Sequence, residues 1–598
     1  MIRSDTLVPL NGGAYQGRDA ISNWQICENL FPELNPQEVD PDVAVTHYPR
    51  EGLRPLSAPP AVGLGRGVFT ASNGQLYAVV GANVYYIDTA WTWHKIGQIA
   101  AGNTPTSLAD NGTNAVLVDG SPNGYQISLA DVAETEGVIV SLGAITPGAG
   151  GGADAVYAAV ALTGGSGAGA TANITVAGGV VTEVDIVSGG DAYIVGDVLS
   201  AASASIDNVV GFSIPVASVT AFTQIVDPTG SFVGSRRADF SDTFLAFANP
   251  GTNEWIVSLS NQVAFNAFVN AAKDSTPDPI QTFSFNLRQM WLLGTQRSEI
   301  WFLAGSTPFP YQEWPNLFVP YGCVAAYSLV RAGASLFWLS RNPEGEAIAV
   351  KTVGEQIEPI STRALEYEWG NYARIDDVIG GTYQRGGHTF IIFHFPTADR
   401  TWAYDTATKQ WHRRAWLDAQ GVSHREKAAY YAKVGADGGY APTNVAQDWQ
   451  TGQIYALDPK FYTDNGQAIV CRRSFPHIMK DMKEITHVAF VADFSTGNIV
   501  GVGEEPTDVG SWSTGFSTGF GPIIKTPAPA LFMRYSNDGG NKWSSYRRKG
   551  RVSSGNYRSM MRWRGLGMAR DRVYELMWSY NGESALQGAY VDPIEHGS

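Results

Sequence analysis

Positive charge is missing from a long stretch of this chain, with no lysine or arginine between Lys95 and Arg236. Charge of either sign is sparse, at 16% of residues, and the formal net charge is −15. A protein that grips nucleic acid needs a basic face to neutralise phosphates, so this balance argues against a general nucleic-acid binder. A conduit is a different case, because an acidic wall repels a duplex that must slide past it. Cysteine is nearly absent: Cys27, Cys323 and Cys471 are odd in number and far apart. They fit neither a disulfide framework nor a paired zinc site, which points to folding in a reducing cytoplasm and to no metal. No run of about 18 apolar residues occurs, and Met1 to Glu38 lacks a continuous apolar segment, so neither a membrane span nor a standard secretion signal is expected. Helical periodicity is also scarce, with Tyr321–Arg331 and Ser361–Tyr367 as short candidates.

What is abundant is glycine, 66 residues, together with 17 tryptophans and 26 tyrosines. That mixture predicts an all-β protein of short aromatic strands and tight turns. A length of 598 residues is too great for one ordinary core and suggests about three or four modules, fewer if one is a propeller. Apolar runs flank turn residues at Gln75–Gly97, Asn114–Ile127, Asp242–Ser258 and Gln289–Gly305, and again at Ser335–Ile360, His388–Arg414 and Gln453–Pro459. Repetition of one grammar at irregular spacing favours a β-propeller, whose blades each bury a face against the next. In Thr401–Arg414, Trp402 and Tyr404 alternate into a strand, Asp405 opens a turn and Trp411 anchors the return, as in kelch-type blades. Gly148 to Ser218 is dominated by Gly, Ala, Val, Ser and Thr and reads as an inserted module with alternating strands around Ala177-Gly178-Gly179. The expected organisation is an extended arm (1–60), a propeller in two parts (61–147 and 219–465), the insert (148–218), and a C-terminal, sandwich-like β domain (466–598).

The sharpest motif is SNDGGNKW, which sets Ser536, Asp538, Gly540 and Trp543 at Asp-box spacing. The Asp accepts backbone N–H bonds within the turn, Gly permits positive φ, and Trp is expected to plug the hairpin into the layer beneath. This motif is best known from sialidase-type propellers, yet there is one box and no early arginine motif, so glycan hydrolysis is disfavoured. The histidines form no HExxH or comparable pattern, and no P-loop, GxSxG elbow or dinucleotide fingerprint is present. Asp376-Asp377 and Glu504-Glu505 are sequence neighbours, so on a strand they face opposite ways and cannot act as an acid/base pair. No catalytic, cofactor-binding or metal residue is assigned. Near the C-terminus, Arg547, Arg548, Lys549 and Arg551 cluster, with Arg558, Arg562, Arg564, Arg570 and Arg572 following. Arg562 and Arg564 share one strand face with Trp563 on the other, which offers charge to a partner while burying the aromatic. The partner in view is the acidic body of the protein, on another subunit or another segment; a solvated strand face is the plainer alternative, and DNA contact is the third.

Four segments together resemble the packaged-DNA stabilisation, or tail-hub, proteins of short-tailed bacteriophages. They are LNGGAYQGRDAISNWQICENLFPEL (Leu10–Leu34), RQMWLLGTQRSEIWF (Arg288–Phe302), PYGCVAAYS (Pro320–Ser328), and YSNDGGNKWS with MRWRGLGMARDRVYELMWS (Met561–Ser579). The resemblance spans most of the chain outside the Gly-rich insert, which is similar to small β modules of phage tail fibres. It implies a structural, non-enzymatic virion protein made in the host cytoplasm and built into the tail as a homo-oligomeric ring, expected to be hexameric. Such a ring continues the DNA channel below the portal and adaptor, is closed by a needle or plug, carries fibres or spikes at its side, and passes duplex DNA through its lumen without sequence recognition. The resemblance brings no cofactor. A receptor- or glycan-binding propeller at the tail tip is the alternative reading.

Overall fold

In the computed structural model the described residues are 6–8, 13–16, 24–34, 45–129, 136–191, 193–194, 196–220, 222–315, 317, 319–342, 344–418, 420–479, 483–496, 530–549 and 559–595. Most of them form antiparallel sheets, beginning with consecutive four-stranded blades. Blade 1 runs from Gly65–Thr70 to Trp93–Gln98, blade 3 from Ala238–Ser241 to Asn270–Ala272, blade 4 from Ile280–Asn286 to Tyr311–Glu313, and blade 5 from Val330–Ala332 to Gln356–Pro359. Blade 6 runs from Ile379–Arg385 to Gln410–Leu417. Blade 2 takes its first three strands from Ser107–Asp110, Asn114–Val118 and Gly124–Ser128, and its fourth from Phe222–Gln224, beyond the insert. Blade 7 has three strands between Ala428–Val434 and Ile454–Asp458; its fourth is Gly52–Ser57, from the N-terminal region. The innermost strands of blades 7 and 1 pack together, so the ring of seven blades closes.

The uninterrupted apolar runs in the sequence follow from this closure. A blade has a neighbour on each side, so both faces of its middle strands are buried and strict apolar–polar alternation disappears. In blade 4, Met290 and Leu292 pack toward blade 3 while Trp291 and Leu293 pack toward blade 5. In blade 2, Ala115 and Leu117 face blade 1, and Val116 and Val118 face blade 3. Trp255, Trp291, Trp338, Trp402 and Trp411 are among the fully buried side chains that fill these seams. The single α-helix among the described residues, Arg363–Gly370, lies between blades 5 and 6 and is capped by the Thr362 hydroxyl. Of Tyr321–Arg331 only Ala326–Ser328 is helical, as a short 3-10 turn.

The expected arm at 1–60 is corrected for its described part, which is woven into its own chain. Thr6–Leu7, Leu30–Leu34 and Val45–Pro49 join a seven-stranded sheet with the C-terminal strands Ile485–Thr496, Ser559–Arg564 and Ser584–Glu595. Cys27–Glu28 stitches the outer strand of blade 6 to Cys471–Ser474, which extends that blade sideways through Asp571–Ser579 and Ala530–Ser536 to Arg547–Lys549. These two sheets face each other as a sandwich. Phe490 stacks on Tyr574 at 4.5 Å and Phe494 meets the edge of Trp578 at 5.4 Å between ring centres. The insert has a core of its own around Ile174, Val176, Leu199 and Ile214. Its strands start at Glu136–Leu142 and end at Val210–Thr220, which is wider than the composition change at 148–218.

Propeller, sandwich and N-terminal segment meet in a buried polar knot. The Arg50 guanidinium donates to both carboxylate oxygens of Asp464, to Asn29 Oδ1 at 2.9 Å and to the Glu51 carbonyl at 3.0 Å. Asn29, in the left-handed region at φ 56, donates in turn to the carbonyls of Ala415 and Val470. Glu426 lies 3.7 Å from Arg50 and 3.6 Å from Arg414, while Glu51 is held at 2.7 Å by Arg385. Removing one partner of a buried ion pair strands the other, at a cost of about 3–5 kcal/mol. Arg50→Ala is therefore expected to lower unfolding stability by about that amount and to make the segment before residue 57 protease-sensitive; wild-type thermal unfolding and digestion would refute the role given to the knot.

His394 and His412 lie beside this knot, and burial pushes both imidazoles well below their ordinary range, reinforced by nearby arginines. The sign follows directly: below about pH 6.5 the unfolded chain takes up protons that the native state refuses, so stability falls as pH drops from about 7 to 5. Each histidine contributes up to about 2 kcal/mol at pH 5. Denaturant midpoints measured across that range should show the slope, and His412→Gln should flatten it.

Candidate interaction surfaces

The Asp-box turn joins the strands Ala530–Ser536 and Arg547–Lys549 at the far edge of the sandwich. Ser536 Oγ donates to Asp538 Oδ1 at 2.7 Å and accepts from the N–H groups of Gly540 at 2.8 Å and Asp538 at 3.3 Å. Asp538 Oδ1 also accepts from Lys542 N–H at 2.7 Å, and these bonds hold its carboxyl below the usual range. Gly539 and Gly540 take φ of 70° and 104°. At Gly540 a Cβ would also sit 2.9 Å from the Trp24 ring, so the N-terminal segment presses directly on the turn. Trp543 does something other than plug a lower layer. It is half-buried, and its ring lies 4.5 Å from the guanidinium of Arg534, which pairs with the fully buried Glu575 at 2.7 Å. The indole therefore shields an ion pair, and Trp24 covers the turn where Trp543 was expected.

The basic residues gather at one end of the sandwich. Arg547, Arg548 and Lys549 form the last strand of the extended blade-6 sheet, and Arg562 and Arg564 lie on the outermost strand of the facing sheet. Arg548, Lys549 and Arg564 are exposed; Trp563 is buried, and its Nε1 donates to the Arg547 carbonyl at 2.9 Å, tying the two strands together. Arg547 donates to the carbonyls of Arg564 and Gly565. Arg551, Arg558, Glu504-Glu505 and the Gly-rich stretch 510–521 fall outside the described residues. Arg570 is exposed near Glu484, whereas Arg572 is buried against Asn537 and two backbone carbonyls and so offers no charge to a partner.

Asp376 and Asp377 do face different groups: Asp376 pairs with Arg374, and Asp377 accepts from Thr397. His388 bonds Asp405 at 2.7 Å and His394 bonds Thr401 at 3.0 Å, both as packing groups. All three cysteines are buried, and burial pushes the thiols of Cys27 and Cys323 up to about 11 and about 12, which leaves them unreactive. Among the described residues no group of three His, Cys, Asp or Glu is placed to hold a metal, and no helix is long and apolar enough to cross a membrane. One feature escaped sequence reasoning, a recess of about 1090 Å³ between blades 4, 5 and 6, lined by Arg297, Arg341, Glu346, Tyr372, Arg374 and Asp376 among others. Its residues come from turns of different blades, so no local motif announces it.

A closed seven-bladed β-propeller with a sandwich on one flank and an inserted module on another is the class of molecule these elements define. Residues 228–462 match the phage-stabilisation family, whose model is described as "Bacteriophage P22 Gp10, beta-propeller". The matched span begins just after the fourth strand of blade 2 and takes in blades 3 to 6 with the first three strands of blade 7, so this part of the chain is similar to a bacteriophage structural family. Among curated proteins no match is found. Solved structures similar in outline include the N-terminal domain of Nup159 (TM-score 0.35, 7% identity, 72% of this chain and 98% of that one). Others are the β-propeller domain of Myceliophteria thermophila Cps50 (Swd1) (0.33, 8%, 67% and 98%) and the WD40 propeller domain of Doa1 (0.31, 6%, 68% and 98%). At such scores these likenesses add nothing to the strand topology.

Asp538→Ala removes the acceptor of the Lys542 N–H and Ser536 hydroxyl bonds and is expected to cost about 1–2 kcal/mol in thermal unfolding. An unchanged melting curve would assign the turn to its glycines alone.

Proposed function

We propose that this chain is a structural hub, or nozzle, protein of a short-tailed phage virion. Several copies form a ring that continues the DNA channel below the portal and adaptor, retains the packaged genome and conducts it at ejection. The observation that carries this reading is the family match across blades 3 to 7. Physical features support it. The propeller is closed by its own N-terminal strand and locked to the sandwich through a buried ionic knot, as suits a part that bears the pressure of packaged DNA. The net charge of −15 suits a wall that DNA slides past. A head-proximal adaptor, a terminal needle or plug, lateral fibres or spikes, and duplex DNA in the lumen are the partners this reading assigns; the ring is taken as hexameric, and no catalysis is assigned. A tail-tip receptor- or glycan-binding propeller would instead use the recess between blades 4, 5 and 6, but the matched family favours the structural role.

Electron microscopy of the intact particle tests this. The chain should appear as a ring on the tail axis with a lumen wide enough for duplex DNA, and particles assembled without it should lose their DNA. A peripheral appendage off the axis would overturn the reading.

A further inference from the structure

The insert presents an outer sheet face made by Ala155–Thr163, Ala168–Ala177 and Val180–Asp191. Alternation along the middle strand sends Ala172, Ile174 and Val176 into the module core and leaves Thr171, Asn173 and Thr175 outside. Across the ladder Thr175 stands opposite Glu183 on one side and Val156 on the other, and Asn173 stands opposite Asp185. Glu183 and Asp185 are exposed, as are Val156 at 65% and Val187 at 55%. No cation can neutralise these carboxylates from within the module, because the sequence has no lysine, arginine or histidine between Lys95 and Arg236. The result is an exposed face of Thr, Asn and Val side chains with two carboxylates that no cation of the module offsets, which suits approach by a positive surface.

The same chain carries such a surface at the sandwich end, where Lys549 and Arg564 are exposed. The two surfaces leave the propeller at different places. The insert departs from blade 2, between its third and fourth strands, and the basic strand is the last of the sheet that starts at blade 6, with blades 7 and 1 in between. The sandwich arginines Arg534 and Arg570 pair within the sandwich, with Glu575 and Glu484. We propose that the Glu183/Asp185 face of the insert docks on the Lys549/Arg564 edge of a second copy of this chain. Two different, complementary surfaces on separate flanks make a head-to-tail contact, the kind that closes into a ring when the rotation allows. This contact rests on the ring reading given above and adds to it the side chains that join neighbours.

The test is charge reversal in the full chain, followed by sedimentation velocity over a range of concentration and salt. Wild-type association should weaken as salt rises. Glu183→Lys with Asp185→Lys, and separately Lys549→Glu with Arg564→Glu, should each weaken association by about tenfold or more. The chain carrying all four reversals should recover it, because the charges again complement each other. These side chains are exposed, so circular dichroism and melting should match wild type in every variant. Rings that persist in both double variants, or a fourfold variant that fails to recover, would overturn this contact while leaving the ring intact. A wild-type chain that is monomeric throughout would take down the ring reading itself, and the contact with it.

Discussion

Arg50 and Asp464 are drawn from opposite ends of the propeller sequence and meet where neither can reach water. Each would be costly alone in that setting, and the pair is tolerable because Asn29, Glu51 and Glu426 satisfy or offset what remains. The position of Arg50 fixes the position of Gly52–Ser57 two residues later, which is the fourth strand of blade 7. The neighbouring Asn29 fixes the approach of Cys27–Glu28, which fuses blade 6 to the sandwich. Ring closure and domain docking therefore depend on one desolvated ionic contact, with apolar seams supplying the bulk of the stability around it.

Those seams explain how a chain with so little charge avoids collapsing into an unspecific core. Every middle strand divides its side chains between two neighbours, so a one-residue slip would send each large ring toward the wrong blade. Trp291 and Met290 are adjacent in sequence yet belong to different seams, and the indole does not fit the space left by the thioether. Register is thus set by side-chain volume, where a half-exposed sheet would set it by polarity.

Much of this was legible in advance, for definite reasons. The propeller could be read because aromatic runs and Asp- or Gly-opened turns are local signals, as in Thr401–Arg414. The insert could be read because its composition changes. Its edges could not, because Glu136–Leu142 has the same apolar character as a blade strand and only its pairing with Val210–Thr220 assigns it. The N-terminal segment reads as an arm because its strands are short, Thr6–Leu7 and Cys27–Glu28 having two residues each, and their partners lie hundreds of residues away. Arg50 and Asp464 carry no mark of burial in the sequence. In the Asp-box turn the spacing points to an Asp538 carboxylate accepting a backbone N–H, which Lys542 supplies, whereas the Ser536 hydroxyl as the acceptor for Gly540 has no mark in the sequence, and the place of Trp543 depends on an ion pair formed across two strands.

The fourth strand of blade 7 also imposes an order in time. Gly52–Ser57 leaves the ribosome early, but the strand it must pair with, Ile454–Asp458, follows roughly 400 residues later. At about 5–20 residues per second that delay is on the order of a minute. Throughout it the nascent chain carries an orphan strand with the hydrogen-bonding groups of an open edge, in a crowded cell where identical chains are being made on the same message. A neighbour's unfinished blade 7 would accept that strand as readily as its own, so faithful closure is a race between synthesis and strand exchange. Slowing translation between blades 1 and 7 would favour exchanged chains, and a nascent-chain chaperone would earn its place by covering a single six-residue strand.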